Sequence, residues 1–109
     1  MLPDNNHNWH DGSAKTADDW ISARAAEFIA SPAYAKGGVL IITADEDEKQ
    51  GANDIPLIVI HKSLDGAHLT TNTKLTLLDV HTFLAEVAGV APLTKATPGK
   101  FAQAFGLAA

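Results

Sequence analysis

A chain of 109 residues with 46% hydrophobic content is at most one domain, long enough to bury a core but short for an open α/β sheet, so a partial domain is an expectation from the outset. Eight Lys and Arg against 13 Asp and Glu give a net charge of -5 with no basic cluster, which argues against a nucleic-acid partner. The absence of cysteine excludes disulfides, thiolate metal sites and a Cys nucleophile; no apolar run reaches membrane-span length, and the first residues lack the pattern of a signal peptide.

In chain order, Pro3 to Ser13 reads as an irregular loop, rich in Asn, Asp and His and carrying the turn signal Asp11-Gly12. Thr16 followed by Asp19 resembles a capping box, and the spacing predicts a helix from about Ala17 to Ala30. Trp20, Ile21, Ala25, Phe28 and Ile29 form its apolar stripe, with Arg24 and Glu27 towards the other side, and Ser31-Pro32 ends it. Gly37-Gly38 turn into Val39 to Ile42, whose β-branched apolar content predicts a strand buried on both faces, as in a parallel sheet flanked by helices. A second strand is expected over Ile55 to Ile60, with Pro56 tolerated at its start. Ser63 to Gly66 is a turn, and Ala67 to Thr73 has no clear period. A helix over Leu77 to Ala88 follows a cap-like Thr76 and Asp79 and is closed by Gly89, with a final short helix over Gly99 to Phe105.

The stretch with the most chemical content is Asp45-Glu46-Asp47-Glu48, directly after the first strand. Parallel sheets present ligands beyond the carboxyl ends of their strands, and packed carboxylates repel unless a cation is near; a hard divalent metal suits them. The same run also reads as a solvated loop, the commoner fate of a charge block. His7-x-x-His10-Asp11 is a short metal-type spacing that loops often contain by chance. His61 at the end of the second strand reads as a ligand, an acid/base or a strand-end histidine meeting solvent, and nothing fixes the role of His68. His81 shares a helix face with Leu77, Leu84, Ala85 and Ala88 and reads as a satisfied, partly buried histidine. Ser13, Thr16 and Thr43 have no neighbouring general base, so no nucleophile is assigned.

Taken in order, Pro3-Asp4-Asn5, Trp9-His10-Asp11-Gly12-Ser13, Ala17-Asp18-Asp19-Trp20, Ile41-Ile42-Thr43-Ala44-Asp45-Glu46 and Ile55 to Ile60 resemble the C-terminal portion of the phosphoesterase family of bacterial phospholipases C and acid phosphatases. Ala88 to Leu93 and Phe105-Gly106-Leu107 are similar to that family's closing helix, turn and tail, so the resemblance covers nearly the whole chain. It implies a partial α/β domain over 1-109, part of an alkaline-phosphatase-like sandwich with mostly parallel strands and flanking helices. It also implies a divalent metal held by Asp45 and Glu46, a phosphate or leaving-group contact from His10, and Asp11 orienting that histidine or its loop. The chain departs from the family pattern with Asn8 in place of an Asp and Lys74 in place of a His.

The resulting expectation is metal-dependent hydrolysis of a phosphate ester, with the hydroxyl nucleophile and the remaining ligands upstream and the isolated chain inactive. An incomplete sheet is expected to expose apolar edges, giving marginal stability, self-association or a complementing N-terminal chain. The family is often exported. The alternative is a non-catalytic acidic module that binds metal or a partner; a third reading is a small standalone metal hydrolase using His7, His10 and Asp45.

Overall fold

The computed structural model describes residues 1–47, 51–93 and 96–107. The chain is a mixed helix and strand fold that divides into two compact units, Met1–Lys62 and Ser63–Ala109.

The first unit opens with the loop through Ser13 and then α1, Ala14–Ile29. This helix begins three residues before the capping pattern at Thr16 and Asp19 predicts. Ser13 is the cap in fact: its extended backbone (φ -75°, ψ 161°) lets its hydroxyl accept the Thr16 N–H at 3.1 Å. Asp19 is left one turn further in, where it pairs with Lys15 along the helix surface. The apolar stripe is only half covered: Trp20, Ile21, Ala25 and Phe28 are half-buried, Ile29 is exposed, and the small Ala17 is the helix's one buried residue. A short helix α2, Pro32–Ala35, restarts the chain directly at the Ser31-Pro32 boundary, with Pro32 in its first turn. Its Tyr34 is buried edge-on against Phe28, ring centroids 5.7 Å apart.

Two strands complete the unit, β1 (Leu40–Thr43) and β2 (Leu57–Ile60). Both were legible from their β-branched runs, yet the sheet is not the parallel one expected. The strands pair antiparallel, Leu40 opposite Ile60 through Thr43 opposite Leu57, as two runs joined by one loop can. Nor is β1 buried on both faces: Leu40, Ile41 and Ile42 are half-buried and Ile58 on β2 is 50% exposed, because a two-stranded ribbon offers its apolar side chains little cover.

In the second unit a 3-10 turn crosses from the first at Lys62–Leu64, and then α3, Leu77–Ala88, and α4, Lys100–Phe105, pack together. The capping box is present at α3: the Thr76 backbone N–H donates to the Asp79 carboxylate at 2.8 Å, and Gly89 closes the helix with φ 70°. The core lies here. Phe101 stacks on Phe83 with centroids 4.5 Å apart and tilts against Phe105 at 5.0 Å, with Leu107 also buried. The buried side of α3 is Asp79, Thr82, Phe83 and Ala85, while Leu77 and Leu84 of the expected stripe stay exposed. Leu78 and Val87 are exposed too, so α3 is apolar around most of its circumference.

Candidate functional site

The His-Asp loop before α1 is held by short-range polar groups. The Asp4 carboxylate accepts the backbone N–H of Asn6 and of His7 at 3.0 and 3.1 Å, the arrangement an Asp favours at the head of a turn. The Asn8 side-chain oxygen accepts the His10 N–H at 2.9 Å, and the Asp11 N–H donates to the Asn5 carbonyl at the same distance. This winding carries Trp9 into the left-handed region at φ 70°, with its side chain 69% exposed, a conformation that is costly for a bulky residue. It also brings Gly12 so near Asn6 that a Cβ there would lie 2.1 Å from the Asn6 carbonyl oxygen. Only glycine fits.

Within this loop the two histidines differ. His10 Nε2 lies 3.9 Å from the Asp11 carboxylate, beyond hydrogen-bond reach, and both side chains are largely exposed (73% and 59%). His7 Nδ1 lies 2.6 Å from Asp4 Oδ1, and its ring sits 6.1 Å from the Trp20 ring on α1. Trp20 in turn carries the Arg24 guanidinium 5.7 Å from its centroid, and Arg24 reaches Glu27 at 2.8 Å. The hydrogen bond from His7 is the main reason the Asp4 carboxyl is held below the usual carboxylate range. In the sequence, His7 stands out only as a metal-type ligand, by its spacing from His10 or beside Asp45, and Asp4 has no assigned role. The available signal was the Asp-Asn-Asn-His order itself, which sets a turn-heading carboxylate three residues before a histidine.

Asp45 and Glu46 follow the carboxyl end of β1 by two and three residues, and both are exposed. The loop that carries them is tied twice. Thr43 Oγ1 donates to the Pro56 carbonyl at 2.8 Å, and Asp47 and Asn53 exchange two bonds: the Asp47 N–H donates to Asn53 Oδ1 at 2.8 Å, and the Asn53 N–H donates to Asp47 Oδ2 at 2.9 Å. Asp47 is therefore a loop-closing residue. Glu48 lies outside the described residues.

Asp45 and Glu46 are hard oxygen donors of the kind that suits magnesium or calcium, so their chemistry fits a divalent cation. Their number does not complete a site. Among the described residues, no group of three His, Asp or Glu side chains could hold a metal ion, so His10 and Asp11 do not join Asp45 and Glu46 in one ligand set. The same holds for the set of His7, His10 and Asp45. Of the other histidines, His61 is half-buried after β2, and His68 is exposed at φ 45°. His81 is half-buried and satisfied, as its helix position implied, its Nε2 accepting the Leu93 N–H at 3.0 Å. No helix among the described residues is long and apolar enough to cross a membrane.

Comparison of this chain with protein-family models, with curated proteins and with solved structures returned no match.

Proposed function

We propose that the chain is the C-terminal portion of a metal-dependent phosphoesterase domain of the phospholipase C and acid phosphatase type. The observation that carries this reading is the pair Asp45 and Glu46, delivered as exposed carboxylates just beyond the end of an apolar strand, within the compact unit that also contains the His10-Asp11 loop. Asp45 and Glu46 would supply two of the ligands of a divalent cation, whose chemistry is to polarise a phosphoryl oxygen. His10 would contact the phosphate or the leaving group, with Asp11 beside it biasing the imidazole by its charge. The hydroxyl nucleophile and the other metal ligands would come from outside this chain. In the parent alkaline-phosphatase-like sandwich, β1 and β2 would sit at the margin of a mostly parallel sheet, where an antiparallel strand pair is common.

The test is complementation. Purified alone, the chain is expected to leave an aryl phosphate intact; mixed with an N-terminal phosphoesterase segment carrying a Ser or Thr nucleophile and acidic ligands, it is expected to restore hydrolysis that is lost on Asp45→Ala. Metal-dependent turnover by the chain alone would overturn the need for a complement, and failure of every complement to respond to Asp45→Ala would overturn the phosphoesterase reading.

A second reading, a non-catalytic acidic module, is favoured by one observation: Asp47 and Asn53 close the acidic loop on itself with no third metal ligand nearby among the described residues. On that reading Asp45 and Glu46 chelate a cation or meet a partner, and complementation never yields hydrolysis.

A further inference from the structure

We propose that His7, positioned by Asp4, is the histidine that meets the phosphate group, which leaves His10 the leaving-group contact; this rests on the phosphoesterase reading and adds to it a residue for which the resemblance gives no role. Two histidines lie in one loop, and they are held very differently. A group that must offer a hydrogen bond in one direction gains from having its ring fixed before the ligand arrives, because less freedom is then lost on binding. His7 meets that condition on two sides, through the 2.6 Å contact of Nδ1 with Asp4 and through the Trp20 ring beneath it. His10 meets it on neither, with its nearest carboxylate at 3.9 Å and 73% of its side chain exposed.

The chemistry of the pair also decides which nitrogen is free. The Asp4 carboxyl is held below its usual range, so it is ionised in neutral solution and can only accept. His7 Nδ1 must therefore carry the proton it donates. That leaves Nε2 as the working nitrogen: an acceptor while the ring is neutral, and a donor to a phosphate oxygen once the ring is protonated.

The loop is built to keep this geometry. Asp4 is itself fixed, because the oxygen that meets His7 also accepts the Asn6 and His7 backbone N–H groups. Gly12 allows the chain to close over Asn6 where any Cβ would collide. About a third of the His7 side chain remains accessible, 35%, so the ring is supported without being sealed off. Arg24 lies over the same Trp20 ring and is itself paired with Glu27 at 2.8 Å, so it braces the ring only through packing.

The experiment is a titration of the full chain with inorganic phosphate at fixed near-neutral pH, followed by long-range nitrogen–proton spectra of the imidazoles and by the backbone amides of residues 44–47. The expected result is a His7 ring in the Nδ1–H form whose Nε2 signal moves with phosphate, while the His10 ring responds less. Asp4→Asn is expected to mix the tautomers and raise the half-saturating phosphate concentration several-fold. Asp4→Glu is expected to restore both, which a merely structural loss of the turn would not allow. A response of His10 without His7, or a His7 ring protonated at Nε2 alone, would overturn the assignment while leaving the phosphoesterase reading standing. No response at either histidine or at residues 44–47 would overturn both.

Discussion

The two units of this chain divide their labour unevenly. The second, Ser63–Ala109, holds most of the fully buried apolar side chains among the described residues, Phe83, Ala85, Phe101, Phe105 and Leu107, gathered around α3 and α4. Among the described residues of the first, Met1–Lys62, Ala17 and Tyr34 are the only fully buried apolar side chains, yet it carries His7, His10, Asp11, Asp45 and Glu46. Stability in the second unit comes from hydrophobic packing, which is non-directional. In the first unit, the loops that carry the candidate chemistry are shaped by side-chain hydrogen bonds to backbone, which are directional and individually weak. Substitutions should therefore separate the two units cleanly.

The largest effect is expected at Phe101, which is 2% exposed and touches two other aromatic rings. Phe101→Ala should cost about 3–5 kcal/mol of the stability of the α3–α4 pair, read by urea unfolding monitored through helical circular dichroism. Equal loss at the Asp4–Asp11 amides in hydrogen exchange would break the division, because it would mean that the first unit borrows its stability from the second.

Gly12→Ala comes next, with the effect confined to the first unit. The new methyl would have to occupy space 2.1 Å from the Asn6 carbonyl oxygen, and relieving that overlap should cost about 1–3 kcal/mol. The readout is loss of amide protection across residues 4–12 with the Phe83 and Phe101 ring signals unchanged.

Asp79→Ala should cost about 1–2 kcal/mol in the second unit. It removes the carboxylate that accepts the Thr76 N–H and lies 3.6 Å from Lys100 Nζ, a pairing that ties the start of α3 to α4. Thermal unfolding of the variant should show α3 fraying from its N-terminal turn.

The smallest effect is that of pH on the Asp4 turn. The Asp4 carboxyl is held below its ordinary value by His7, so its contribution is complete above the ordinary Asp range and is lost as the pH falls through the lower folded value. The protection of the Asn6 and His7 amides, taken relative to the intrinsic exchange rate at each pH, should therefore hold steady through neutral and mildly acidic solution and fall only in strong acid. Loss of that protection at mildly acidic pH would mean that the turn depends on His7 rather than on the Asp4 charge.

The elements legible in the sequence were those with a strong local cause. The second long helix was given to the residue, Leu77 to Ala88, because Thr76, Asp79 and Gly89 specify both its ends by chain-local hydrogen bonds and by one left-handed glycine. The start of α1 was misread because Thr16 and Asp19 imitate a capping box, while the true cap, Ser13, has no acidic partner three residues on. Strand direction was not legible. Val39 to Ile42 reads as buried from its composition, but whether a strand is flanked on two faces depends on what pairs with it, and among the described residues its only partner is the antiparallel β2. Of the candidate site, Asp45 and Glu46 were found as a charge run at a strand end. Asp4 and Asn53 were not, because each works through a backbone turn that brings it to a specific partner rather than through its own charge.

The proposed function stands or falls on Asp45 and Glu46 as ligands of a divalent cation. Substoichiometric manganese added to the full chain tests it directly, since the paramagnetic ion broadens the resonances of the residues nearest to it. Broadening is expected at the Ala44 to Asp47 amides, abolished by the double substitution Asp45→Asn, Glu46→Gln and absent from α3 and α4. Broadening that follows every exposed carboxylate alike, Asp18 and Asp65 included, or that spares Asp45 and Glu46, would contradict it.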